Sequence, residues 1–131
     1  MPKSAVTFLM YEGAAEAAIR LYETAFSSLG VTVLERHGAE AGEHEGKLKD
    51  GRFRLCGQQF RCYDSTIHHP FGFTPAISLF IECADRQEQD HAYAVLAEGG
   101  QVLMPLDDYG FSERFGWVAD RYGVSWQLNL E

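Results

Sequence analysis

The sequence predicts an α+β fold in which two tandem βαβββ modules form one domain, residues 1–131, with a curled mixed sheet and a cleft. We place module one at about residues 4–57 and module two at about 75–131. Two observations carry this prediction. An apolar run rich in strand formers opens each half, at 5–11 and at 76–83, and an amphipathic pattern follows each run. A repeated order of elements decides a fold more strongly than any single motif.

The first half contains a strand, a helix and three further strand candidates. AVTFLMY, residues 5–11, is the first strand, and apolar residues at three- and four-residue spacing predict a helix over 14–26. VTVLER, residues 31–36, is the second strand. KLKDGRFRLCG, residues 47–57, then gives two short strands around Asp50-Gly51, because Asp-Gly is a strong hairpin turn signal.

The second half repeats this order after residues 58–74, which carry no recognisable pattern. AISLFIEC, residues 76–83, is a strand, and a helix runs from about Arg86 to Glu98 before Gly99-Gly100 end it. Three strands complete the module: QVLMPL with Pro105 marking its end, RFGWVAD at 114–120, and VSWQLNL at 124–130.

The last strand alternates two kinds of side chain. Val124, Trp126, Leu128 and Leu130 alternate with the polar residues Ser125, Gln127 and Asn129. Successive side chains of a strand point to opposite faces, so one face is apolar and the other carries a row of amides and a hydroxyl. The pattern alone leaves open whether this polar row meets water or lines a pocket.

Composition and charge exclude several functional classes. The net charge is −8, from 19 acidic and 11 basic side chains, so the field of the molecule repels nucleic acids and anionic membrane surfaces. A leader peptide or an apolar run long enough to cross a bilayer is not apparent, which predicts a cytoplasmic protein. Cys56, Cys62 and Cys83 are an odd number without CxxC spacing, so we expect reduced thiols rather than disulfides or a structural zinc site.

Three strings carry a resemblance to a known family: TFLMYEGAAEAAIRLYETAF, PAISLFIECAD and GWVADRYGVSW. With two βαβββ modules, the chain resembles the vicinal oxygen chelate superfamily of glyoxalases, extradiol dioxygenases and bleomycin resistance proteins, and within it the PhnB-like group. The resemblance implies the glyoxalase/bleomycin resistance fold, a homodimer and a small-molecule ligand. Some members of the group are labelled demethylubiquinone methyltransferases. The sequence opposes that activity, because it lacks a glycine-rich strand-to-helix turn and a run of parallel β–α units to bind adenosylmethionine.

The resemblance also implies which positions face the ligand cleft. Counting from matching landmarks gives Thr7, Ser78 and Gln127, with Cys56, or Arg54 if the register slips, in the last strand of module one. Strand parity supports this set, since Phe53 and Leu55 would pack under the helices. Trp117 and Asn129 join the set as cleft residues, whereas the parity of Trp126 assigns it to the core. The four landmark positions contain no imidazole and no carboxylate, so we expect no cofactor and disfavour a divalent metal.

Other candidates are weaker. His68-His69 precede Pro70 in an extended loop where adjacent imidazoles diverge, and His37 and His44 lie in a flexible acidic stretch; we assign all four to solvent. His91 lies on a helix among charged and amide neighbours, which also indicates exposure. Cys56 becomes a nucleophile only if a neighbouring arginine ionises it, and a buried structural cysteine is the commoner case. Residues 107–116 suit a lid, a dimer contact or a surface loop.

Three functional hypotheses follow. We prefer a metal-free binding protein for a small, partly aromatic or polar organic molecule. The alternative is a metal-dependent lyase, isomerase or dioxygenase of the superfamily with an unconventional ligand set. A third is a structural or interaction protein whose cleft is filled by side chains.

Overall fold

A computed structural model describes residues 1–131 as an α+β protein with the predicted βαβββ order in each half. The first half contains β1 (Thr7–Tyr11), α1 (Ala15–Ala25), β2 (Gly30–Arg36), β3 (Leu48–Leu55) and β4 (Gln58–Asp64). The second contains β5 (Ser78–Glu82), α2 (Arg86–Ala97), β6 (Gln101–Asp107), β7 (Arg114–Ala119) and β8 (Ser125–Leu130). A 3₁₀ segment, Ala39–His44, lies in the predicted glycine-rich loop. Neither α-helix is long and apolar enough to cross a membrane.

The chain forms two compact units, and each contains one four-stranded mixed sheet. Residues 1–23 and 27–69 make up the first unit, and residues 24–26 and 70–131 make up the second. The strand order is β1-β4-β3-β2 in the first sheet and β5-β8-β7-β6 in the second. In both sheets the opening strand of the module runs parallel to its last strand, and the other neighbours are antiparallel. The two modules therefore share one topology, as the repeated element order predicts.

Helix α1 begins on a buried carboxylate. Asp64 is 3% exposed, and its Oδ1 accepts hydrogen bonds from the backbone N–H groups of Gly13 (2.8 Å) and Ala15 (2.9 Å). Its Oδ2 accepts from the N–H of Leu48 at 2.9 Å. Because the first N–H groups of a helix have no partner within the helix, a carboxylate there satisfies them and complements the helix dipole. Asp64 thus joins the start of α1 to β3 and β4.

Helix α2 is joined to its sheet by a buried amide. Asp85 caps its start, accepting from the N–H of Glu88 at 2.8 Å. Gln89 is fully buried, and its Nε2 donates to the carbonyl oxygens of Arg114 (2.9 Å) and Leu128 (3.1 Å). Its Oε1 accepts from the Arg114 Nε at 2.8 Å. All the hydrogen-bonding groups of this side chain are satisfied, which is the condition for burying an amide without loss of stability.

The structure corrects the position of the predicted hairpin in module one. Strand β3 runs straight through Asp50-Gly51, and the turn lies at Cys56-Gly57, where φ is 51° and 77°. Both turn residues are left-handed, as a two-residue hairpin loop requires. Gly51 lies within the strand, where the Leu48 side chain packs against it; a Cβ there would lie only 2.5 Å from the Leu48 Cδ2. The last strand of the module is therefore β4, in a stretch where the sequence showed no pattern.

Strand β6 also differs from the prediction, since it continues through Pro105 to Asp107. It is the edge strand of the second sheet, where a residue without an N–H group is tolerated.

Candidate functional site

The polar row of β8 lies on the face of the second sheet that is opposite the buried apolar row. Trp126 and Leu128 are fully buried, which confirms the assignment of Trp126 to the core; in the polar row Ser125 and Asn129 are also buried, and Gln127 is half-buried. In the sheet register Ser78 pairs with Ser125, and Trp117 pairs with Gln127. Paired residues of neighbouring strands share a face, so four of the predicted cleft residues (Ser78, Trp117, Gln127 and Asn129) lie on this face together with Ser125. We call it the open face of the second sheet.

Hydrogen bonds connect these side chains into a continuous network. The Trp117 indole Nε1 donates to the Ser125 Oγ at 2.7 Å, and the two hydroxyl oxygens of Ser125 and Ser78 are 2.7 Å apart. The Gln127 Nε2 donates to the Ser78 Oγ at 3.1 Å. Since each member fixes the orientation of the next, the indole and the amide are held in place before any ligand arrives.

Two amide oxygens on the same strand have no hydrogen-bond partner. The Asn129 Nδ2 donates to the Glu82 Oε1 at 2.7 Å, which fixes the orientation of the amide. Its Oδ1 is buried and has no hydrogen-bond partner. The side chain of the half-buried Gln127 is bonded only through its nitrogen, so its Oε1 has no partner either. An unpaired buried acceptor costs free energy.

Aromatic side chains border this polar row. Phe80 pairs with Gln127 in the register and is 54% exposed, and its ring centroid lies 6.4 Å from that of Phe115. Phe111 lies 5.1 Å from Phe115 in an edge-to-face arrangement and is 62% exposed. This face therefore combines rings with hydrogen-bonding groups; Phe80 is exposed and Trp117 and Gln127 are half-buried, whereas Ser125, Asn129 and Phe115 are buried.

The first sheet corrects the two candidates from module one. Thr7 pairs with buried Phe60, so it lies on the helix-facing side with Leu9 and Tyr11, and its Oγ1 accepts from the Gln58 Nε2 at 3.3 Å. The prediction that Thr7 faces the cleft was made by counting residues, and the observed register contradicts it.

Cys56 lies in the hairpin turn beyond the end of β3, not on a strand face. Arg54, the alternative, does lie opposite buried Phe53 and Leu55. Because β4 is the last strand of the module, the position equivalent to Gln127 is Arg61, which pairs with Phe8 as Gln127 pairs with Phe80. Sequence reasoning missed Arg61 because it did not recognise β4.

The residues present do not fit the divalent metal that the superfamily implies. The chain has no group of three or more His, Cys, Asp or Glu side chains arranged to hold a metal ion. The Ser78 hydroxyl and the Gln127 amide nitrogen are already engaged with each other. Neutral hydroxyl and amide donors also repay little of the dehydration of a divalent cation. We therefore derive no chemistry through a metal.

The strand-to-helix turns do not fit adenosylmethionine. After β1 the chain has a single glycine, Gly13, and its N–H donates to Asp64. The N–H groups that would hold an anionic ligand at the start of α1 are thus bonded to a side chain, and Asp85 does the same at α2. Each sheet contains only one parallel pair, which is not the doubly wound arrangement that presents such a cofactor.

The histidines and buried cysteines do not converge on the open face. The His68 Nδ1 lies 2.8 Å from the Glu12 Oε1, and this hydrogen bond lowers the pKa of Glu12. The exposed His91 ring bonds the Thr24 carbonyl oxygen at 2.7 Å. Burial raises the pKa of Cys62 and of Cys83 to about 12, so both thiols are protonated near neutral pH.

Almost the whole chain matches one protein family and one solved structure. The family model of 3-demethylubiquinone-9 3-methyltransferase matches residues 3–129. A PhnB protein from Bacillus cereus is 44% identical over 98% of this chain and 100% of its own, with a TM-score of 0.92.

More distant structures share the fold. A protein from Pseudomonas aeruginosa has a TM-score of 0.80 at 23% identity, covering 99% of this chain and 98% of its own. A glyoxalase/bleomycin resistance protein from Albidiferax ferrireducens has a TM-score of 0.62 at 13% identity, covering 98% and 100%. No curated protein matches the chain.

Proposed function

We propose that this chain, which belongs to the 3-demethylubiquinone-9 3-methyltransferase family, binds a small aromatic molecule that carries N–H or O–H donors. Its fold is that of the glyoxalase/bleomycin resistance proteins. The proposed site is the open face of the second sheet. We do not extend methyl transfer to this chain, because the turns that would bind its cofactor are occupied by Asp64 and Asp85.

The observation that carries this proposal is the buried, unpaired Oδ1 of Asn129. It lies on the same face as the free Oε1 of Gln127, two residues away on β8. Both oxygens are acceptors, so the complementary ligand is a donor. Of the two, the half-buried Gln127 side chain is the one that has accessible surface, so a ligand meets its Oε1 first, and the Asn129 Oδ1 is reached only when the side chains that cover it move aside.

Aromatic character follows from the border of the site. Phe80 and Trp117 flank Gln127 on neighbouring strands, and both present ring surface to the same face. Aromatic rings stack favourably and bury large areas. Small-molecule sites are commonly apolar walls with a few fixed polar groups, and this face has that composition.

A direct test uses salicylamide, which has a planar ring with N–H and O–H donors, and anisole, which has a ring without donors. We expect calorimetry to show binding of salicylamide and at least about tenfold weaker binding of anisole. Gln127→Ala should weaken salicylamide binding by about tenfold, whereas the matched control Gln87→Ala, at an exposed position of α2, should not change it. Equal affinities for Gln127→Ala and the unchanged protein would sink this site assignment.

We further propose that the protein is a homodimer. Several large apolar side chains outside the proposed ligand sites are more than half exposed: Ile67, Phe71 and Ile77, with Phe111 at the border of the second sheet. Phe73, in the same loop as Phe71, is half-buried. Exposed apolar residues in this number support covering by a second copy.

A further inference from the structure

A cavity lies in the first unit, outside the site proposed above. It has a volume of about 370 Å³, and three arginines, Arg52, Arg54 and Arg61, line it. They come from adjacent antiparallel strands, with Arg52 directly opposite Arg61 in the register. All three lie opposite the buried apolar face of the sheet, where Phe53 and Phe60 pack. The topology thus gathers three guanidinium groups at one place.

This concentration of positive charge contrasts with the rest of the chain. The protein carries a net charge of −8 and has only 11 basic side chains, of which three line this cavity. Like charges placed together repel one another unless counter-charge is supplied. Asp50 supplies one carboxylate: it accepts from the Arg52 Nε at 3.2 Å and Nη2 at 3.1 Å, and lies 3.8 Å from the Arg61 Nη2. Glu35 also acts on Arg52, but it is exposed and paired with Lys49, so the three guanidinium groups keep a local excess of positive charge.

Two of the arginines have donors that no protein group uses. The Arg54 guanidinium group makes no hydrogen bond or ion pair within the chain, although its backbone is paired within the sheet. The Arg61 Nε is buried and has no hydrogen-bond partner, while its guanidinium group is held 5.2 Å from the centre of the Phe8 ring. A buried charged donor without an acceptor is costly, and the stacked ring fixes its position.

We propose that this cavity binds the oxyanion group, a carboxylate or a phosphate, of a small organic anion. Arginine presents planar, forked N–H donors that match both oxyanions and often bind them in a bidentate manner. Gln59, Thr32 and Ser4 also line the cavity and supply neutral hydrogen-bonding groups around the charged centre. The volume is within the range of small-molecule sites. The proposal stands apart from the ligand class assigned to the second sheet.

The test titrates the intact protein with inorganic phosphate and, separately, with succinate, following the backbone amide signals of residues 52–54 and 59–61 by NMR at low ionic strength. Binding of phosphate alone identifies a phosphate-bearing ligand, and binding of succinate alone a carboxylate-bearing one. Binding of both supports the shared oxyanion chemistry. If neither anion moves these signals at millimolar concentration, the proposal is overturned.

Variants separate a built site from general attraction. Arg54→Gln should weaken anion binding by about tenfold, since a charge-assisted hydrogen bond is lost, and Arg54→Lys should restore only part of it. Lys49→Gln removes the same charge from the same strand outside the cavity lining and should change affinity less than about twofold. Equal losses for Arg54→Gln and Lys49→Gln would refute the site. Gln127→Ala should leave anion binding unchanged, so this proposal and the one for the second sheet fail independently.

Discussion

The closing string GWVADRYGVSW contains two pairs of side chains with separate tasks. Asp120 is 3% exposed; its Oδ1 accepts from the N–H groups of Tyr122 and Val124, and its Oδ2 from the Trp126 indole. This pair holds the β7–β8 turn against the core. The Trp117 indole instead bonds Ser125 on the open face. A string that identifies the family therefore contributes both to folding and to the proposed site.

Asp64 provides a prediction at the scale of one residue. Asp64→Asn replaces one acceptor oxygen by an NH₂ group that faces backbone donors, leaving a buried N–H unsatisfied. We expect the free energy of unfolding to fall by at least about 2 kcal/mol, measured by urea denaturation. Glu113→Gln serves as the control, because Glu113 is exposed and its side chain makes no hydrogen bond or ion pair, and its unfolding free energy should stay within about 0.5 kcal/mol of the unchanged protein. Equal effects of the two substitutions would mean that Asp64 does not hold the start of α1.

The thiols give a second residue-scale prediction. Disulfide exchange requires the thiolate, and burial raises the pKa of Cys62 and Cys83 to about 12, so both remain protonated at pH 8. Cys56 is exposed. We expect Ellman's reagent to titrate one thiol rapidly in the folded protein and three after unfolding. Rapid reaction of a second thiol would contradict the burial of Cys62 and Cys83. Rapid reaction of any thiol in folded Cys56→Ser would contradict it as well.

At the scale of elements, most strands and both helices could be predicted because each has a periodic apolar pattern. Strand β4 could not, since its sequence QQFRCYD places buried Phe60, Cys62 and Asp64 at alternate positions, and a buried aspartate does not look like a core residue. Its carboxylate is buried because three backbone donors surround it, which only the fold reveals. Because β4 was not recognised, the hairpin turn was predicted at Asp50-Gly51 instead of Cys56-Gly57, and Cys56 was predicted to lie on a strand.

The connection from α2 to β6 provides an element-scale prediction. A Cβ on Gly100 would lie 2.2 Å from the carbonyl oxygen of Ala119, so the chain must move to accommodate Gly100→Ala. We expect a loss of about 1–3 kcal/mol in unfolding free energy, by the same urea measurement. Gly72→Ala is the matched control, because a Cβ there meets no atom within 4 Å. If Gly100→Ala were as stable as Gly72→Ala, Gly100 would not lie as close to the Ala119 carbonyl oxygen as this structure shows.

At the scale of the whole molecule, the repeat predicted the architecture of both modules but the candidate site of only one. Ser78, Trp117, Gln127 and Asn129 were placed together because β8 shows clear alternation and lies beside β5 and β7. Thr7 was misplaced because counting from a landmark in α1 was wrong by one position, and Cys56 was misplaced because the sequence did not reveal β4. A register error of one residue moves every side chain to the other face.

Assembly also belongs to this scale. We expect light scattering coupled to size exclusion to give twice the 14.7 kDa mass of one chain. Phe111→Asp should shift the protein toward monomer if this exposed ring is covered by a second copy, because burying an unpaired charge is costly. Glu113→Asp, two residues away, should not. A mass of one chain at every concentration up to about 100 μM would contradict the proposed homodimer.

The central claim, that the open face of the second sheet binds a donor-bearing aromatic molecule, is tested most directly by the two indole N–H signals in an NMR titration with salicylamide. The Trp117 indole belongs to the network on that face, whereas the Trp126 indole is buried and bonded to Asp120. We predict a saturable shift of the Trp117 indole signal and of the Asn129 side-chain amide, with the Trp126 signal unmoved. No shift at Trp117, or equal shifts of both indoles, would contradict the account.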